Sequence, residues 1–158
     1  MHMHPKKRVS RRRFLAGTAA LGAVGTAGCL SGSDLPVVGS SVDTEFERTD
    51  VELAAHEPPD VTVGGDTVTV TVRGTVEFGS SECGTVDLAH AEYEYSQERL
   101  DLLVVAADDS GVRTGCSDDL VEAGYRLEAT VGEGFRRIVA TEHHVFGQTY
   151  STTVEGVD

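Results

Sequence analysis

The residues from Thr67 to Phe78 alternate between two faces, and this stretch restricts the possible folds more than any other in the chain. Val68, Val70, Val72, Val76 and Phe78 fall on one side, with Thr67, Thr69, Thr71, Arg73, Thr75 and Glu77 on the other. A period of two in β-branched residues marks a half-buried antiparallel strand. Gly64-Gly65-Asp66 separates it from Val61 and Val63, which predicts a tight hairpin. Gly74 interrupts the apolar face and is expected to mark a bulge or a crossing strand.

The same period recurs downstream. Thr85 to Tyr95 alternates, but its apolar positions shift from Val86 and Leu88 to Ala89, Ala91, Tyr93 and Tyr95, which predicts a bulge near Ala89 and His90. Leu100 to Ala107 is apolar at nearly every position, as expected of a central strand covered on both faces. Asp108-Asp109-Ser110-Gly111 reads as a turn. Tyr125, Leu127, Ala129 and Val131 alternate until Gly132-Glu133-Gly134, and Ile138–Phe146 and Tyr150–Val154 complete the set. Some seven or eight short strands without helical periodicity predict an all-β domain, a small barrel or, preferably, a single antiparallel β-sandwich, immunoglobulin-like or related.

Charge is distributed unevenly along the 158 residues, whose formal net charge is −13. Lys6, Lys7, Arg8, Arg11, Arg12 and Arg13 all precede residue 29, and the first acidic residue is Asp34. From Cys29 onward the chain holds 7 arginines and no lysine against 26 acidic residues, a net charge of −19. Such a balance suits a protein working in molar salt, where the Debye length falls to about 3 Å and self-repulsion is screened. An acidic disordered chain is the competing reading, and the regular apolar spacing opposes it. Nucleic acid is not expected as a partner, because binding phosphates requires clustered cations.

The basic leader carries its own pattern. Ser10-Arg11-Arg12-Arg13-Phe14-Leu15 precedes a Gly- and Ala-rich apolar run to Ala27, about half the roughly 20 residues that would span a bilayer. The hexapeptide resembles the twin-arginine export signal, with Arg11 and Arg12 as the pair and Phe14-Leu15 after it. Thr26-Ala27-Gly28-Cys29 resembles a lipobox, although Thr26 stands where Leu is usual. The resemblance implies cleavage before Cys29 and lipid on its thiol; an ordinary signal peptide with a free Cys29 is the alternative. The expected organisation is a signal over 1–28, a lipid-anchored, Ser- and Gly-rich tether over 29–47 and a β-sandwich domain over 48–158.

With Cys29 lipidated, Cys83 and Cys116 form an even pair, and oxidation outside the cell favours a disulfide between them over two reduced thiols. A blue-copper site would need a Cys closely followed by His and then Met; Cys116 is followed by Ser117, Asp118 and Asp119, and both Met residues lie in the leader. His143 and His144, being adjacent, point to opposite faces of a strand and cannot chelate one ion together. His90, His143 and His144 are weak metal candidates, with His56 a further donor. No nucleophile elbow or phosphate-binding loop occurs, so neither catalytic residues nor a cofactor are assigned. The chain has no Asn, which excludes Asn-linked glycosylation.

From Val72 to His143, about half of the chain, the sequence resembles a group of haloarchaeal secreted proteins and lipoproteins of uncharacterised function. The shared features fall at Gly74, Cys83, Leu88 to Tyr93, Leu100 to Val105, Cys116, Tyr125 and Val139 to His143. That resemblance implies an exported β-domain and no particular activity. The expectation is a non-catalytic binding or interaction module, anchored to the membrane through Cys29, with an envelope protein or small ligand as partner. A small-ligand or metal-binding subunit of an envelope transporter or redox complex is the alternative.

Overall fold

A computed structural model describes residues 42–157 except 67, 113 and 114. The leader with Arg11, Arg12, Phe14 and Leu15, the lipidation candidate Cys29 and the tether to residue 41 lie outside the described residues.

Eight strands follow one another: β1 (Val42–Thr49), β2 (Asp60–Val63), β3 (Thr69–Gly79), β4 (Gly84–Glu94), β5 (Arg99–Asp108), β6 (Leu120–Val131), β7 (Arg137–His143) and β8 (Thr149–Glu155). They build two four-stranded sheets, in the orders β1-β6-β3-β2 and β4-β5-β7-β8, and the domain is an all-β sandwich. Neighbouring strands are antiparallel except for one pair: β5 and β7 run parallel. That departure from a purely antiparallel arrangement follows from the path of the chain. It leaves β5, crosses to the other sheet as β6 and returns as β7, the kind of long crossover that parallel neighbours require.

Alternation on β3 works as its sequence predicts: Val70, Val72, Val76 and Phe78 enter the core. Tyr125, Leu127, Ala129 and Val131 of β6 join them from the same sheet. Leu100, Leu102 and Val104 of β5 and Ile138 and Ala140 of β7 meet them from the other. The β2–β3 hairpin forms where Gly64-Gly65-Asp66 predicts it, closed by Gly64 N–H to Thr69 C=O at 2.7 Å and by the Asp66 carboxylate, which accepts from the Val68 and Thr69 amides. Those bonds hold the Asp66 carboxyl below its usual range.

The bulge in β4 is also present, as a register shift between Leu88 and His90 opposite β5. It turns Ala91 and Tyr93 inward after Val86 and Leu88, while Ala89 stays exposed. At Gly74, by contrast, there is no bulge: β3 and β6 pair without interruption from Thr69 opposite Thr130 to Gly79 opposite Leu120.

Two expectations change. β1 begins at Val42, so the sheet takes in residues 42–47, which the expected organisation assigns to the tether. On this edge strand only Val42 and Phe46 are partly buried against the core, too sparse a pattern to read as a strand. β5 is central but fully covered on one face only; Asp101, Leu103 and Val105 lie half-buried on the outside of the sandwich.

Candidate functional site

Strand alternation turns Ile138, Ala140 and Glu142 of β7 inward, and His144, just past its end, follows them. A carboxylate in a row of core positions is costly, because burial removes its hydration. Glu142 is 0% exposed, yet its Oε1 accepts the Tyr125 hydroxyl at 2.7 Å. Gly74 makes the space: a Cβ there would overlap Oε1 of Glu142 and lie 2.8 Å from Tyr125. The crossing strand expected at Gly74 is therefore β7, whose Glu142 reaches between the sheets.

His144 is 4% exposed and stands where the chain leaves β7. Its Nδ1 accepts the Glu77 N–H at 3.2 Å, and the next residue, Val145, donates its N–H to the Glu77 carbonyl at 3.1 Å. β2 pairs with β3 only between Val70 and Arg73, so Glu77 lies on the part of the β3 edge that β2 leaves open. With Nδ1 accepting, the ring proton of neutral His144 resides on Nε2, which lies 3.7 Å from Glu142 Oε2. That gap exceeds hydrogen-bond length, and both atoms are buried without a partner.

Burial sets the protonation of all three groups. It pushes the Glu142 carboxyl up to about 7, against the pull of the Tyr125 hydroxyl and the Thr75 amide. Burial lowers the His144 imidazole, and neighbouring His143 adds to the effect while the Glu77 and Glu122 carboxylates oppose it. The Tyr125 phenol is raised, first by burial and then by Glu142. Slightly acidic to neutral solution thus favours neutral forms throughout the cluster.

His144 also lines a cleft of about 480 Å³ at one end of the sandwich, together with Ser80, Ala106, His143 and the two cysteines. Cys83 and Cys116 are joined by a disulfide that spans 33 residues of sequence. The surrounding loops are tied together by hydrogen bonds. Ser80 N–H donates to the Asp119 carbonyl at 2.7 Å, Ser81 N–H to the Asp119 carboxylate at 3.0 Å, and Asp109 N–H to the Cys83 carbonyl at 2.6 Å. Hydrogen bonds from Ser117 and Ser81 bring the Asp119 carboxyl down to about 2, so it stays ionised. Gly84 permits the tight turn after β3, since a Cβ there would run into the Gly79 carbonyl and the Phe78 ring.

Beside the cleft three apolar side chains face solvent. Leu120, Val145 and Phe146 are 48%, 41% and 71% exposed and line a second hollow of about 250 Å³ whose rim includes Asp118 and Asp119.

The candidate histidines are not brought together. His143 is exposed and His144 buried, as adjacent strand residues must be, and His56 is exposed in the β1–β2 loop. His90 pairs with Glu92 at 3.2 Å on the exposed side of β4. From His143 it is two strands and about two residues away, roughly 12 Å. Among the described residues no group of three or more His, Cys, Asp or Glu is placed to hold a metal ion.

Glu142, Tyr125 and Phe146 go unnoticed as site residues when the sequence is read alone. Glu142 carried a signal: it shares the parity of Ile138 and Ala140, so the alternation already placed a carboxylate in the core.

The fold and this end define a two-sheet sandwich with a disulfide-fastened face built from loops. No family model, curated protein or solved structure matches the chain.

Proposed function

We propose that the protein is a twin-arginine-exported lipoprotein of a halophile, held on the outer face of the cytoplasmic membrane through Cys29, whose disulfide-fastened end docks another envelope protein without catalysing a reaction. The observation that carries the docking reading is the exposure of Leu120, Val145 and Phe146 around one hollow, beside loops fastened to one another by a disulfide and backbone bonds. Exposed apolar clusters with a polar rim are characteristic of protein interfaces. Asp108, Asp118 and Asp119 border the two hollows, so the partner segment that fits is apolar at its centre and basic at its edge. Molar salt screens charges beyond a few ångströms, which leaves short-range apolar contact as the main attraction.

Support for export and anchoring comes from the leader: Arg11, Arg12, Phe14, Leu15 and Cys29 in their order, and the change to an all-Arg, acidic composition after them. Two acyl chains are needed for stable anchoring, since one binds only marginally.

A photo-crosslinking side chain at position 146, compared with one at Gln97 at the opposite end of the sandwich, tests the docking face in cells at native salt. Adducts to a protein with a basic contact segment at 146 and none at 97 are expected; no adduct at 146, or the same adducts at both positions, would overturn the assignment. Cys29→Ser is expected to release the domain into the medium, and undiminished membrane retention would rule out a lipid there.

A second reading, a small-ligand subunit, is favoured by the cleft, whose volume lies in the usual range for small-molecule sites. Elemental analysis of protein purified in high salt tests its metal-binding form, which requires a stoichiometric ion.

A further inference from the structure

We propose that His144 is a proton-operated latch: protonation of its ring releases the β7–β8 turn, residues 144–147, from β3. The turn is closed on itself, with His144 N–H donating to the Gln148 carbonyl at 2.9 Å and Gly147 N–H to the His144 carbonyl at 3.0 Å. Among the described residues its hydrogen bonds to β3 are the two at Glu77: Glu77 N–H to His144 Nδ1 and Val145 N–H to the Glu77 carbonyl. A self-contained turn joined to its neighbour by two bonds can move as a unit.

The chemistry of the ring decides when it moves. His144 holds Glu77 through a lone pair on Nδ1, and Nε2 already carries the neutral ring's proton. A proton taken from solvent therefore goes to Nδ1, where it displaces the acceptor and sets one N–H against another. The cation formed is 4% exposed, and a buried charge must be paired or moved into water. His144 lines the cleft, so its way out to solvent is short.

The groups facing the ring come from several elements. Glu77 of β3 and Glu122 of β6 favour the cation, and His143 opposes it. Glu142 of β7 stands 3.7 Å away, with its other oxygen engaged by Tyr125 of β6. Tyr150 of β8 packs edge-on at 5.1 Å between centroids, and Asp108 of β5 lines the same cleft. Glu142 is protonated at the acidic pH that charges His144, so it supplies no counter-ion inside the core. The imidazolium is then drawn outward towards carboxylates in water. The turn carries Val145 and Phe146, so acid would also disturb whatever docks on them, but the latch itself is independent of any partner.

Amide exchange followed by NMR on isotope-labelled protein in molar salt reads the latch directly. Between pH 8 and pH 5, protection of the Glu77 and Val145 amides, corrected for intrinsic rates, is expected to fall by up to about tenfold per pH unit from the ordinary histidine value down to the His144 ring midpoint and to level off below it, as one linked proton requires. The levelling-off should coincide with the midpoint of the His144 ring signals, and the core amides of Val72 and Leu127 should keep their protection. In His144→Asn the side-chain carbonyl accepts the Glu77 N–H without titrating, so protection there should not depend on pH. Unchanged protection in the wild type, an equal loss in His144→Asn, or a parallel loss at Val72 and Leu127 would overturn the latch. If the Asn variant does not fold, the wild-type titration decides, because a levelling-off that departs from the midpoint of the His144 ring refutes the proposal.

Discussion

Gly74 shows how an absent side chain organises a core. Its missing Cβ is the space taken by Glu142 Oε1 and the edge of Tyr125, so Gly74→Ala must push one of them aside. Alanine suits a strand better than glycine, but overpacking here outweighs that gain. The variant is expected to lose about 2 kcal/mol or more, measured by denaturant unfolding in high salt. Glu142 and His144 then shape stability against pH with opposite signs. The carboxyl titrates at about 7 when folded against 4.5 when unfolded, so its contribution is full below 4.5 and is lost as pH rises through 7. That loss amounts to up to about 3 kcal/mol. His144 is lowered when folded, so its contribution is full above the ordinary histidine value of 6.5 and is lost as pH falls below it. Glu142→Gln should therefore flatten stability between pH 5 and 8 on the alkaline side and leave the acid-side loss in place. A variant curve that still declines towards pH 8 would assign that decline to another group.

Among the elements, β3 and β4 were legible because each presents one face to the core, and a period of two has one physical explanation there. Even the β4 bulge appears as a change of parity between Leu88 and Ala91. β1 was not legible: an edge strand needs few apolar residues, and only Val42 and Phe46 pack inward. β5 misled in the other direction, since Leu103 and Val105 are apolar without being fully covered. The loop between β3 and β4 is joined to the one between β5 and β6 by Cys83–Cys116, with Cys83 buried and Cys116 exposed. Closing a 33-residue separation stabilises by about 3 to 4 kcal/mol through the entropy of the unfolded chain. Cys83→Ser with Cys116→Ser should lower unfolding stability by that amount and raise exchange at Ser80 and Ser81. Two titratable thiols in the native protein would remove the premise.

For the whole molecule, the halophilic function proposed above makes the excess of 26 acidic residues over 7 arginines from Cys29 onward a requirement for salt. Moving the protein from about 3 M to 0.1 M salt lengthens the Debye length from under 3 Å to about 10 Å and restores repulsion across the surface. The expected cost is at least about 2 kcal/mol, or roughly 10 °C in Tm, and a melting temperature indifferent to salt would contradict it.

The sequence alone determined the faces of β3, β4 and β6, the hairpin at Gly64-Gly65-Asp66, the sandwich class, the opposed directions of His143 and His144, and the strongly acidic balance from Cys29 onward. Each of these follows from local alternation, turn chemistry or summed charge. Only the tertiary structure decided that β5 and β7 are parallel, that Gly74 admits Glu142, and that His144 is bonded to Glu77 across the two sheets. Those are meetings of residues far apart in the chain, and local periodicity carries no information about which distant faces are pressed together.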